Sequence, residues 1–225
     1  MSESYVLVLD TAMHACSVGL FGRKNGVIRS LFALSDPMTR GHQERIGPLV
    51  AEAFAKGGIA PQQLTAIGVT LGPGSFTGLR VGLAFAKGMA SGLSVSLCGF
   101  STLETLAAAA PFSGQRRLAA HEAGRGQVYV QYSGADDRAD APQALRLDEI
   151  DSLRDYDPEM IIGSGARHLA ARFPEAQIID EALPDLRAMA ALCFERPDAY
   201  ADLSPLYMRE ADAKVSDKAV IRFDF

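Results

Sequence analysis

Cysteine is scarce in this chain, and its three copies, Cys16, Cys98 and Cys193, lie too far apart for metal-ligand or redox-pair spacing. They are expected as small buried thiols. Histidine is as thin: His14, His42, His121 and His168 are scattered, no two sharing a helix face, which argues against a structural or catalytic zinc site. No stretch of about eighteen apolar residues occurs, so no helical membrane span is predicted. Residues 1–5 lack a basic stretch and Asp10 breaks the apolar run that follows, so no signal peptide is expected and the protein is placed in the cytoplasm. Basic residues cluster only as the pairs Arg23-Lys24 and Arg116-Arg117, and the net charge is −5. Strong nucleic-acid binding by this chain alone is therefore disfavoured, leaving room only for a local patch.

What is present is a globular composition, 48% hydrophobic and 22% charged over 225 residues, enough for one large or two small cores. Residues 5–10 and 15–21 are β-rich runs with a short break between them, and the turn signal Lys24-Asn25-Gly26 introduces a third strand to residue 34. Ile46, Leu49, Val50, Ala53 and Phe54 fall on one helical face, and Gly57-Gly58 ends that helix. Pro48 fits there only in the first turn or at a bend, because it cannot donate to residue 44. Residues 64–71 read as a buried strand, followed by a glycine-rich turn, a long helix to about residue 93, a strand at 95–98 and a helix at 102–110. The second half is weaker. Strands are expected at 118–120, 128–132, 160–162 and 178–179, with a polar loop at 134–142, a helix starting near His168 and another at 186–194. This β-β-β-α-β-α-β-α order predicts an α/β protein with mixed sheets.

The richest segment is Gly72-Pro73-Gly74-Ser75-Phe76-Thr77-Gly78-Leu79-Arg80-Val81-Gly82. Glycines and a proline after a buried strand make a tight turn that backbone can approach closely. Ser75 or Thr77 can cap the following helix, whose N-terminus is a potential anion site. No Gly-Lys-Ser/Thr follows, and the third glycine falls one residue late for Gly-x-Gly-x-x-Gly, so neither phosphate-binding motif is met. Beyond it, Gly78, Gly82, Ala86 and Ala90 recur every four residues as a ridge almost without side chains. Gly82 and Gly88 each cost the helix about 1 kcal/mol relative to alanine, which close packing must offset. Leu79, Val81, Leu83, Phe85 and Met89 make the rest apolar. Two readings stand: burial against the chain's own sheet, or docking of a partner on Ile46, Leu49, Val50, Gly78, Leu79, Gly82, Phe85, Ala86, Met89 and Ala90.

Leu7-Val8-Leu9-Asp10-Thr11 with Ala15-Cys16-Ser17-Val18, His42, Pro48-Leu49, the whole of residues 72–82 and Pro205-Leu206-Tyr207-Met208-Arg209 together resemble the TsaB family. The resemblance is dense over residues 5–100 and thin over 110–200, and Met208 stands where that family usually has leucine. It implies a two-lobed actin-like ATPase fold of ribonuclease-H-like halves. The lobes would be residues 1–103 and a degenerate 104–225, with the last segment packing back on the first lobe. It implies a scaffold without catalysis of its own, which binds a TsaD-like subunit, works with a TsaE-like ATPase and reaches tRNA through that complex. Two copies could pair when the partner is missing.

No intrinsic cofactor follows from the resemblance, although ATP or ADP with magnesium could enter the assembled complex. TsaD-type chains hold metal with His-x-x-x-His; here the matching place reads His42-Gln43-Glu44-Arg45-Ile46, so the second ligand is missing. Asp10 and Thr11 occupy the position where superfamily members bind phosphate and magnesium, and with Gly74 and Ser75 they form the candidate anion or nucleotide contact. A strand-end aspartate that supports a turn is the alternative. In the second lobe Glu122-Ala123-Gly124-Arg125 replaces the family's Asp-Ala-Arg. A superfamily kinase or glycoprotease-like enzyme is the competing function, but neither a recognisable Ser-His-Asp set nor His-Glu-x-x-His is present.

Overall fold

Continuous apolar runs, buried on both faces in β1 and β2, and a two-residue turn set the first three strands. β1 (Ser4–Asp10) pairs antiparallel with β2 (Ala15–Lys24), which pairs antiparallel with β3 (Val27–Pro37). The hairpin between β2 and β3 turns on Asn25 and Gly26, both at positive φ (51° and 79°), the backbone that matches the right-handed twist of its strands. The computed structural model describes residues 3–108, 114–136, 139–180, 183–196 and 203–208. α1 (His42–Gly57) carries its buried face through Ile46, Leu49, Val50 and Ala53, and the Gly58 N–H closes it onto the Phe54 carbonyl at 3.0 Å. Pro48 lies inside this helix, past its first turn, on the exposed side. There the Glu44 carbonyl that loses its donor faces solvent.

β4 (Leu64–Gly72) and β5 (Ser96–Ser101) add in parallel to β1, giving the order β3-β2-β1-β4-β5, and α2 (Phe76–Leu93) crosses between them. The second half repeats the plan with shorter strands. β6 (Arg117–Gly124), β7 (Gln127–Ser133) and β8 (Gln143–Arg146) form the antiparallel part, and β9 (Met160–Ile162) and β10 (Gln177–Ile179) add in parallel to β6. The order β10-β9-β6-β7-β8 is the first sheet's order read from the other edge. Its crossovers have shrunk to a 3-10 stretch (Leu147–Asp155) and the four-residue α4 (Ala166–Leu169). This is the two-lobed actin-like α/β fold, with a degenerate second lobe.

The lobes exchange their final helices. α3 (Thr102–Ala108), which follows the first sheet, packs on β6 and β7, and α5 (Leu186–Glu195), which follows the second, packs on β1, β2 and β4. Leu186, Met189, Ala190 and Cys193 of α5 meet Val6, Val8, Phe21, Ala66, Cys98 and Phe100. Gly19 and Gly68 leave the space they fill, since a Cβ at Gly19 would stand 3.2 Å from that of Leu186. Leu203 and Leu206 then return to the core on the opposite face of the same sheet, and the Leu206 N–H donates to the Leu71 carbonyl at 2.7 Å.

Two expectations change. β8 is a strand that the sequence does not announce, because its four mostly exposed residues are too short a span to register as one. The helix expected at residues 102–110 is described only to Ala108, and residues 109–110, like Arg209, lie outside the described residues.

The small-residue ridge belongs to the chain's own interior. Gly78 and Gly82 are buried, and a Cβ at either would overlap Thr11, at its carbonyl oxygen and its hydroxyl respectively. Ile46, Leu49, Val50, Ala86 and Ala90 lie in the core cluster beneath α1 and α2, and Leu79 packs with Ala12 and Met13. These eight expected docking residues are buried in the isolated chain, packed against its own sheet and the loop after β1. Gly82→Leu should accordingly unfold the chain or lower its stability by about 3 kcal/mol or more, the upper end of the range for forced overpacking, because a side chain there overlaps the Thr11 hydroxyl. Urea denaturation of the isolated protein measures this, and a near-native midpoint would refute the packing.

Candidate functional site

β1 ends in a corner built by four residues from two segments. Asp10 has no exposed surface; its Oδ1 accepts from the Thr70 hydroxyl at 2.6 Å and from the Ala12 N–H at 3.1 Å. Burial pushes its carboxyl above the usual carboxylate range, opposed by those two hydrogen bonds and by the charges of His42 and His14. The Thr11 hydroxyl donates to the Gly78 carbonyl at 2.7 Å, and the Ser75 N–H donates to the Ala12 carbonyl at 2.6 Å. Ser75 caps α2, its Oγ accepting from the Gly78 N–H at 3.2 Å. A Cβ at Gly74 would overlap the Ala12 carbonyl.

Asp10, Thr11, Gly74 and Ser75, the candidate anion contacts, thus do come together. They do so by closing on one another: Asp10 and Thr11 are buried, Gly74 is half-buried and only Ser75 is exposed. Oδ2 of Asp10 has no partner among the described residues and is itself shut from solvent. The arrangement joins β1 to β4 and α2.

His42 is buried at the start of α1, and Ile46 one turn later sits in the core. Among the described residues no three His, Cys, Asp or Glu side chains are grouped so that they could hold a metal ion. In the second lobe the Glu122-to-Arg125 segment forms the β6–β7 turn, with Gly124 and Arg125 at positive φ. Ser164 ties its turn to β6: its Oγ lies 2.8 Å from His121 Nδ1 and accepts from the Glu122 N–H at 3.1 Å.

What α1 and α2 present outward is a different set from the one the ridge pointed to. Phe85 and Met89, of the expected docking residues, are half-buried between core and surface. Beside them Pro48, Ala51, Ala55, Ala84, Gly88 and Gly92 are exposed, and Gly47, Phe54 and Val81 are half-exposed. Phe85 reaches across to α1, its ring 3.8 Å from where a Gly47 Cβ would be. Gly88 and Gly92 have open space on their outer side. Ala84, Gly88 and Gly92 form a second four-residue ridge, and this one faces away from the sheet. The sequence shows both ridges; only the strand positions tell which is inside.

No helix among the described residues is long and apolar enough to cross a membrane. Residues 36–186 match the family model described as tRNA N6-adenosine threonylcarbamoyltransferase, TsaD. The chain is 38% identical over 126 residues to the tRNA threonylcarbamoyladenosine biosynthesis protein TsaB of Escherichia coli K12, a match covering 55% of this chain and about half, 52%, of that one. It is 33% identical over 165 residues to TsaB of Haemophilus influenzae, covering 72% of this chain and 68% of the relative. A crystal structure from Pseudomonas aeruginosa, of an uncharacterized protein with similarity to peptidase YeaZ, superposes with a TM-score of 0.74 at 25% identity, over 92% of this chain and all of that one. With the two-lobed fold and these matches in agreement, the chain belongs to the TsaB family.

Proposed function

We propose that this chain is a non-catalytic subunit that binds and steadies a TsaD-type partner for threonylcarbamoylation of adenosine in tRNA. The observation that carries this reading is the outward face of α1 and α2, where Ala51, Ala84 and Gly88 lie open around the half-buried Phe85. Such a face lets a partner helix approach at the short end of the usual 8–10 Å spacing, with aromatic and aliphatic groups at its centre. The relatives' names tie them to tRNA threonylcarbamoyladenosine biosynthesis. The pairing of His42 with Ile46 supports a role without metal chemistry, and the sealed Asp10 corner supports one without nucleotide turnover. A TsaE-like ATPase, any ATP or ADP with magnesium, and tRNA then belong to the cytoplasmic assembly. Without its partner, the same face pairs two copies of the chain.

Gly88→Leu separates docking from folding. It should raise the isolated chain's own stability by about 0.5–1 kcal/mol, because a helix-interior glycine is replaced by a strong helix former in open space. Capture of the TsaD-type partner in co-purification, or self-association in sedimentation, should weaken at least tenfold. Unchanged capture would remove this face from the interface.

The acid–base behaviour of Asp10 tests the corner. A carboxyl raised by burial binds its proton more tightly in the folded chain than in the unfolded one. Its stabilising contribution is full below the unfolded value near 3.9 and is lost as pH climbs through the raised folded value. Relative to Asp10→Asn, wild type should therefore be favoured at pH 4 and lose ground toward pH 8, read from urea midpoints. A gap that grows with pH would mean that the corner is built to hold the anion.

A further inference from the structure

Among the described residues, Phe76 and Tyr207 are exposed (40% and 44%), come from distant parts of the chain, and meet with ring centroids 5.0 Å apart. Arg80, one turn beyond Phe76 on α2, lies against both. Its guanidinium carbon is 3.8 Å from the Phe76 centroid and 5.8 Å from that of Tyr207, and its Nε donates to the Tyr207 hydroxyl at 2.9 Å. Both rings are fixed from behind. Phe76 follows the Ser75 cap, and Tyr207 follows Leu206, which is bonded to Leu71 and packed on the core. The cluster is thus a preorganised, exposed aromatic surface, its two rings tilted by 33° to one another, that contributes little to the interior.

Its charge is as distinctive as its shape. α2 contains no acidic residue in eighteen positions, and its two cations, Arg80 and Lys87, share one flank with Phe76. At 100° per residue that flank is turned away from Val81 and Phe85, the α1 side of the helix. No carboxylate among the described residues pairs with Arg80 or Lys87, in a chain whose net charge is −5. Lys87 lies about 10 Å further along the helix than Arg80.

We propose that Phe76, Arg80 and Tyr207 form a contact for an unpaired nucleotide of RNA, with Lys87 meeting the backbone beyond it. Aromatic faces and arginine planes are what unstacked bases pack on, and a guanidinium already flattened on a ring keeps N–H donors for a phosphate. A protein partner would instead be met by apolar small residues, which lie on the other flank of α2. The inference rests on the reading of this chain as a subunit of a tRNA-modifying complex, and gives the local basic patch a place and a ligand.

The test uses the co-purified complex with its TsaD-type partner and a labelled anticodon stem-loop RNA, titrated by fluorescence anisotropy at fixed salt. Phe76→Ala and Tyr207→Ala should each weaken binding roughly 5- to 150-fold, the range for loss of one stacked base. Lys87→Ala should weaken it less and flatten the logarithmic salt dependence by about one unit. Tyr207→Phe, which keeps the ring, should stay within about threefold of wild type. Melting curves and partner capture control for folding and assembly. A folded, assembled Tyr207→Ala complex that binds RNA as wild type does overturns the inference while leaving the scaffold reading intact. So does loss of partner capture with RNA affinity unchanged, which would make the cluster a protein contact. If the wild-type chain captures no TsaD-type subunit, both readings fall together.

Discussion

The molecule turns on the seating of Thr11 and Ala12 against the glycines of α2. Two backbone carbonyls and one hydroxyl lie where the side chains of residues 74, 78 and 82 would otherwise stand, and two hydrogen bonds, to the Gly78 carbonyl and from the Ser75 N–H, lock the contact. Three glycines make possible an approach that no other residue allows. Their cost to helix propensity is offset by close packing along a whole helix and by burial of the loop that ends β1. Because β4 leads directly into this turn, the same contact fixes how α2 crosses the sheet, and therefore which of its faces is inside.

That choice governs what the surface offers. With one small-residue ridge consumed, the ridge displaced around the helix becomes the outer face beside α1, and the remaining flank carries Phe76, Arg80 and Lys87. One helix thus serves the core, a smooth apolar surface and a cationic aromatic one. The Asp10 corner is closed by the contact that positions these surfaces.

The exchange of α3 and α5 between lobes supplies the other constraint. α5 returns from the far end of the chain to cover β1, β2 and β4, so the first lobe's core is completed by residues 186–193. It brings the Cys193 thiol within 3.3 Å of that of Cys98 on β5. The salt bridge from Arg196 to Glu104 joins the two exchanged helices directly. The degenerate second sheet can keep three-residue strands because α3 and the turn at Gly163 and Gly165 hold them from either side.

The sequence by itself determined the succession of elements in the first lobe, the positions of α1 and α2, a Ser75 or Thr77 cap on α2 and the lack of a second histidine ligand at Ile46. These depend on local periodicity, turn chemistry and residue identity, all of which are written within a few neighbouring positions. β8 is not legible because four mostly exposed residues carry too little pattern to separate a strand from a loop. Which ridge of α2 faces inward was decided only by the tertiary structure, since Ala86 and Ala84 are equivalent until a sheet lies beneath one of them. The pairing of Cys98 with Cys193 and the meeting of Phe76 with Tyr207 were likewise invisible. Each joins residues far apart in the chain, and nothing short of the folded backbone brings such residues together.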